Sequence, residues 1–167
     1  MNFPDFRAHE RSYQMLSQVA GRAGRKELRG KVLSQTYQPH HNIIQEVING
    51  NYDHMFKQQL KDRMEYQYPP YTRLIRIVVN HKDMETVKKA SQWITNVLKQ
   101  SEYGQILGPV FPFIARLRNR YRMQILVKIS GDQSKDRVKH IVKKTLNGFE
   151  SIAIFRSCKV NLDVDPY

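Results

Sequence analysis

Two adjacent prolines, in Tyr68-Pro69-Pro70-Tyr71, limit the folding of this chain more than any other feature. Proline lacks the backbone N–H that a helix needs, and its ring restricts the preceding residue to extended conformations. A helix arriving at residue 68 therefore stops there, and the junction divides the 167 residues into parts 1–68 and 69–167. The charge changes at the same place. Residues 1–70 carry 10 basic and 7 acidic side chains, whereas residues 71–167 carry 18 and 8. Most of the net charge of +13 thus sits in the second part, which suits a polyanionic partner.

An apolar fraction of 40% is enough for a packed core, so disorder does not describe the chain as a whole. No apolar run approaches bilayer length, and Met1-Asn2-Phe3-Pro4-Asp5 lacks the basic-then-apolar pattern of a signal peptide. The expectation is a soluble, cytoplasmic protein with no membrane partner. Cys158, the one cysteine, excludes an internal disulfide and any multi-cysteine zinc site.

The second part alternates between periods of 2 and 3.6. Ile75, Ile77 and Val79 fall on one face of a strand, with Arg76 and Asn80 on the other. From Asp83, the residues Met84, Val87, Ala90, Ile94, Val97 and Leu98 recur at helical spacing as far as Tyr103-Gly104. Gln105 to Arg116 reads as a second strand, which Pro109 and Pro112 confine to an edge or break. Tyr121, Met123, Ile125, Val127 and Ile129 form the inward face of a third. A helix from about Gln133 buries Val138, Ile141, Val142 and Thr145 and is expected to stop at Asn147-Gly148. The last strand points Cys158, Val160, Leu162 and Val164 inward and Lys159, Asn161 and Asp163 outward. The order βαββαβ predicts an α+β domain of the ferredoxin-like, split βαβ kind.

The first part does not close on itself. A helix over Glu10 to Ala20, a strand over Lys31 to Tyr37 and helices around Ile43 to Ile48 and Tyr52 to Tyr66 leave one strand without a mate. The expectation is the tail of a larger α/β domain. The apolar sides of Val32-Leu33 and of Ile43, Ile44 and Val47 would then lack cover and favour self-association.

Two strings carry chemistry. Gln18-Val19-Ala20-Gly21-Arg22-Ala23-Gly24-Arg25 has the form Q-x-x-G-R-x-G-R where a helix gives way to a loop. Arginine's planar fork holds two phosphate oxygens, and small glycines permit close approach. Arg116-Leu117-Arg118-Asn119-Arg120-Tyr121-Arg122 lies at a turn between strands, where arginines can bind phosphates and a tyrosine can stack on an unpaired base. Outward-facing Arg76, Lys128 and Lys159 would extend that surface across the sheet. Lys135, Arg137, Lys139, Lys143 and Lys144 read as the solvated face of a helix. His9, His40 and His41 lack companions at metal-ligand spacing, and Asp163 and Asp165 read as solvated carboxylates rather than a magnesium site. Trp93 and the tyrosines of residues 66–71 read as packing residues.

The octapeptide at 18–25 resembles motif VI of superfamily II helicases. Asp5-Phe6-Arg7-Ala8 and Glu10-Arg11 before it, and Lys31-Val32-Leu33-Ser34-Gln35-Thr36-Tyr37 after it, resemble the bacterial primosomal protein N′ (PriA) family of replication-restart helicases. So do Tyr68-Pro69-Pro70-Tyr71, Gly108-Pro109, Ile114-Ala115-Arg116, Tyr121-Arg122-Met123-Gln124 and Asp163-Val164-Asp165-Pro166. The resemblance implies that residues 1–68 belong to the second, RecA-like lobe of an ATP-dependent DNA helicase. Gln18, Gly21, Arg22 and Arg25 would contact ATP, with Arg22 and Arg25 catalytic and Arg25 the arginine finger. It implies a DNA-binding second part that uses Arg76, Arg116, Arg118, Arg120, Tyr121, Arg122 and Lys128 on branched or single-stranded DNA. Primosomal and single-strand-binding proteins would be further partners, in a bacterial cytoplasm. ATP, magnesium and zinc are cofactors of the larger family protein. This chain holds neither a G-x-x-x-x-G-K-[ST] loop nor a cysteine set, so it is expected to need no metal and to hydrolyse no ATP alone. The other reading of the residues is a free-standing nucleic-acid-binding module without ATP chemistry.

Overall fold

The computed structural model describes residues 5–23, 30–101 and 103–166. Met1–Tyr66 and Gln67–Pro166 form two compact units.

In the first unit, helices α1 (Ala8–Arg22), α2 (Asn42–Ile48) and α3 (Tyr52–Glu65) enclose a small core of Tyr13, Ile43 and Met55, with Leu16 and Val47 against it. Each short helix is fixed at its start. The His41 ring accepts from the Ile43 N–H at 3.3 Å and Asn51 Oδ1 from the His54 N–H at 3.2 Å, replacing partners that the first turn lacks. Arg63 joins α3 to α1 through Glu10 at 2.6 Å. The strand expected over Lys31 to Tyr37 is not formed. Residues 31–36 are irregular and exposed, because among the described residues this unit holds no second strand to complete a ladder. Val32 and Leu33 are indeed uncovered, but Ile43 and Ile44 are buried, contrary to the expectation.

The second unit is an α+β sandwich. Strands β1 (Thr72–His81), β2 (Gln105–Val110), β3 (Arg116–Leu117), β4 (Arg120–Ser130) and β5 (Lys159–Val164) make one antiparallel sheet in the order β2-β4-β1-β5, with β3 also paired to β4. Helices α4 (Met84–Lys99) and α5 (Lys135–Ser151) cover one face. The alternating residues Ile75, Ile77, Val79, Met123, Ile125, Val127 and Ile129 meet Val87, Ala90, Ile94, Leu98, Val138, Val142 and Phe149 in a single core. Burying each such side chain stabilises by roughly 1.5–3 kcal/mol, so this layer dominates the fold.

Local chemistry sets the ends of the elements. Asp83 caps α4, accepting from the backbone and hydroxyl of Thr86, each at 2.7 Å. Ser134 starts α5. That helix does not stop at Asn147-Gly148. It continues to Ser151, because Gly148 lies against the Trp93 ring while Phe149 is buried and stacks on Phe155 at 5.1 Å. Trp93 also approaches both phenylalanines, as a packing residue.

The long second strand breaks in two. Gly108, at φ +100°, makes a one-residue register shift between Leu107 and Val110, and a Cβ there would meet the Gln124 carbonyl oxygen at 2.8 Å. Pro109 is tolerated because β2 is an edge strand. At the opposite edge, Val160 reaches the core, but Leu162 and Val164 are 48% and 55% exposed. Their side chains point to the helix side as expected, beyond the cover that the helices provide.

A candidate nucleic-acid interface

The arginine string forms a tight hairpin between β3 and β4. Leu117 pairs with Arg120 and Arg116 with Tyr121, while Arg118 and Asn119 adopt positive φ values of 49° and 59° at the tip. A two-residue turn of this left-handed kind matches the twist of its strands, and asparagine suits it. Arg116 closes the turn from the side by donating to Asn119 Oδ1. No acidic residue occurs between positions 103 and 131, so the hairpin keeps its charge.

The four arginines differ in what they touch. Arg118 is exposed at the tip, and neither it nor half-buried Arg122 has an ion pair among the described residues. Arg120 is committed to the fold. Its Nε donates to Asn80 Oδ1 at 2.7 Å, and its Nη2 to the carbonyls of Asn80 and Ser157, both at 3.2 Å. Arg116 lies over the Tyr121 ring at 5.1 Å, and that tyrosine is partly buried against the core. Tyr121 is thus already engaged within the protein.

The expected extension across the sheet needs correction at two positions. Lys128 is on the outward face but is not exposed there: it is 6% exposed, with Nζ 3.9 Å from the centre of the Tyr68 ring. Burial pushes its pKa down. The alternation placed Lys128 on the correct face, but Tyr68, from the proline junction, covers that face. Arg76 is half-buried and paired to Asp163 at 2.5 Å, and Arg73 to Asp165 at 2.7 Å. Asp163 and Asp165 are therefore paired carboxylates rather than solvated ones. Lys135, Lys139, Lys143 and Lys144 are exposed along α5, and Arg137 lies over Tyr103 at 4.5 Å.

Sequence reasoning passed over one exposed element beside the hairpin. Val110 pairs with Gln124, and the Arg122 N–H donates to the Ala115 carbonyl at 2.9 Å. Only Met123 separates those points on β4, whereas Phe111-Pro112-Phe113-Ile114 separates them on the facing chain. The four residues therefore loop out from the sheet edge. Phe111 is 42% and Phe113 74% exposed. The signal was a proline between two phenylalanines, where no strand can continue to bury them.

In the first unit, Gln18, Gly21 and Arg22 lie on one exposed side of the last turns of α1, at the i, i+3 and i+4 spacing that brings helical side chains together. The helix thus persists through Arg22 instead of ending in a loop at Gly21. Gly24 and Arg25 lie outside the described residues. An apolar groove along α1 is lined by Leu16, Ala20, Val32, Ile44, Val47 and Ile48, among others. Among the described residues no group of three or more His, Cys, Asp or Glu could hold a metal. His54 Nδ1 lies 2.8 Å from Glu46 Oε1, and the His9 and His41 ring centres are 5.4 Å apart. Cys158 is half-buried against the core, its thiol pKa raised by burial and partly lowered by Arg120. No described helix is long and apolar enough to cross a membrane.

Residues 64–167 match the family model described as the primosomal protein N C-terminal domain. The chain is 32% identical to the replication restart protein PriA of Bacillus subtilis, over all of this chain and 21% of that protein. It is 42% identical to the PriA protein of Synechocystis over 77% of this chain and 16% of that one. With the PriA protein of Thermotoga maritima it shares 32% over 96% and 21%. The chain thus spans about a fifth of the length of these relatives. With its second unit inside the matched span, the chain belongs to the primosomal protein N C-terminal domain family.

Proposed function

We propose that the second unit is a DNA-binding domain of ferredoxin-like, split βαβ arrangement, within a larger ATP-dependent helicase that restarts replication. It binds phosphates at a branched or partly single-stranded fork through Arg118 and Arg122. The observation that carries this reading is the division of labour in the hairpin. Arg120 and Arg116 hold its shape, which leaves Arg118 and Arg122 on a rigid support with no ion pair among the described residues to neutralise them. A hairpin backbone held in this way need not be ordered when its free arginines meet phosphate oxygens, which lowers the entropic cost of binding. The relatives named as replication restart proteins support the setting.

The first unit contributes to ATP use in this reading. Gln18 and Arg22, with Arg25, approach the terminal phosphates of an ATP bound elsewhere in the larger protein, where their charge stabilises the transferring phosphoryl group. The phosphate-binding loop and magnesium ligands belong to that larger protein, as do its primosomal and single-strand-binding partners. Magnesium, when bound there, supplies charge neutralisation of the phosphates.

The test is a fluorescence-anisotropy titration of the chain against fork, duplex and single-stranded DNA at two salt concentrations. A preference for the fork that survives the higher salt supports the reading. Equal, weak binding that collapses with salt reduces the unit to a nonspecific polycation, since counterion release alone produces that.

A further inference from the structure

We infer that the free edge of β5 is an interface for a second copy of this chain, which adds its own β5 antiparallel and joins the two sheets into one. Such pairing is separate from DNA binding and does not require it.

Strand β5 lies at the end of the order β2-β4-β1-β5, with no strand beyond it among the described residues. The Asp165 N–H donates to the Leu74 carbonyl at 2.8 Å, which sets the phase of the ladder. Counting back, Asp163, Asn161 and Lys159 turn their N–H and carbonyl groups toward β1, and Val164, Leu162 and Val160 turn theirs away from the sheet. An outward row of this kind is a template for another strand unless proline or a bulge interrupts it. Residues 159–164 contain no proline and pair with β1 without a register shift.

Shape and charge choose the occupant. Leu162 and Val164 are 48% and 55% exposed on the helix side, and Lys159, Asn161 and Asp163 stand on the other face. The segment Lys159-Val160-Asn161-Leu162-Asp163 is complementary to its own reverse. In an antiparallel pair centred on Asn161, Lys159 faces the partner's Asp163, Val160 faces the partner's Leu162, and the two asparagines face each other. The outward N–H and carbonyl groups of Val160 then bond to those of the partner's Leu162. Lys159 is exposed and has no ion pair among the described residues. Asp163 already accepts from Arg76 at 2.5 Å, so each carboxylate stands between its own Arg76 and the partner's Lys159. Opposite charges directly across an antiparallel pair stabilise it, and like charges oppose it. The neighbouring register sets Lys159 against the partner's Asp165, which has left the strand at φ +52° and pairs with Arg73. The contact is its own mirror about a two-fold axis and uses up both edges, so assembly stops at two copies.

The test is sedimentation equilibrium of the full chain without DNA, at physiological salt so that the net charge of the two copies is screened. The expected result is a concentration-dependent rise from the mass of one chain to that of two. Lys159→Glu and Asp163→Lys each set like charges opposite one another at both positions, and each should weaken self-association at least about tenfold. Mixing the two variants sets opposite charges together at both positions and should restore a pair containing one of each. Thermal melting checks that each variant is folded. Leu162→Pro is the second probe, should Asp163→Lys unfold for want of its Arg76 partner. Proline there removes an outward N–H and leaves the ladder to β1 intact, so it should abolish pairing. A single-chain mass at the highest concentration reached would overturn the inference. So would self-association that is unchanged in folded Lys159→Glu and Leu162→Pro, which would assign it to another surface such as Val32 and Leu33. Two folded charge variants that pair no better mixed than apart would overturn the register centred on Asn161, and the inference with it.

Discussion

The Arg120 guanidinium holds Asn80 at two points, Nε on the side-chain oxygen at 2.7 Å and Nη2 on the backbone carbonyl at 3.2 Å. The contact ties the first residue of β4 to the end of β1, and a further bond to the Ser157 carbonyl brings in the approach to β5. One side chain thus fixes three segments at the base of the hairpin. Asn80 is buried, so its oxygen has no ready replacement partner. Arg120→Ala should cost about 2 kcal/mol of unfolding free energy, the scale of a hydrogen bond to a charged group. Arg118→Ala should leave stability unchanged. Urea denaturation of both variants checks this, and similar stabilities for the two would contradict the division of roles.

Tyr68 and Lys128 make a second separable pair. Burial lowers the Lys128 pKa below the ordinary lysine value of 10.5, while the face of the Tyr68 ring favours the charged form. A lysine whose folded pKa is lowered carries a folding penalty that is full below that value and disappears as pH rises through it toward 10.5. Tyr68→Leu should therefore destabilise by about 0.5–2 kcal/mol at neutral pH, with the gap from the unaltered chain closing as the medium becomes alkaline. Denaturation at pH values on either side of the lysine titration checks the sign.

Asp83 governs the acid side of α4. Its hydrogen bonds from the Thr86 hydroxyl and N–H lower its pKa below the usual carboxylate value. Its contribution is present above that usual value and is lost as pH falls through the lowered one. Asp83→Ala should lower stability at neutral pH and flatten the acid limb of the stability profile. NMR titration of the carboxyl group, beside acid unfolding of the variant, tests both statements.

The chain by itself should release no phosphate from ATP. It carries an arginine-bearing helix end, but no G-x-x-x-x-G-K-[ST] loop to hold the triphosphate. Turnover by the pure chain that disappears in Arg22→Ala would contradict the division of ATP chemistry between this chain and the larger protein.

Periodicity made the second unit legible. β4 alternates Met123, Ile125, Val127 and Ile129 without a lapse, and α4 repeats Val87, Ala90, Ile94 and Leu98, so face and period agree. The places that sequence missed depend on distant residues. Lys128 was assigned to the correct face, but only the junction at Tyr68 decides whether that face is wet. Leu162 and Val164 continue the alternation past the helices that would have covered them. Lys31 to Tyr37 has strand-like composition, and strand formation requires a neighbour. At the interface, the hairpin could be read from its turn residues and charge. The roles of its arginines could not, because Asn80 and Ser157 are 40 and 37 residues from Arg120 in sequence.

The central claim, that Arg118 and Arg122 bind DNA phosphates from a support held by Arg120, is tested most directly by the salt dependence of fork binding. The affinities of the unaltered chain, Arg118→Ala and Arg122→Ala are measured from low to physiological salt and plotted logarithmically. The account predicts weaker binding and a slope shallower by about one for each arginine removed, with stability unchanged in Arg118→Ala. Slopes and affinities equal to those of the unaltered chain would contradict it.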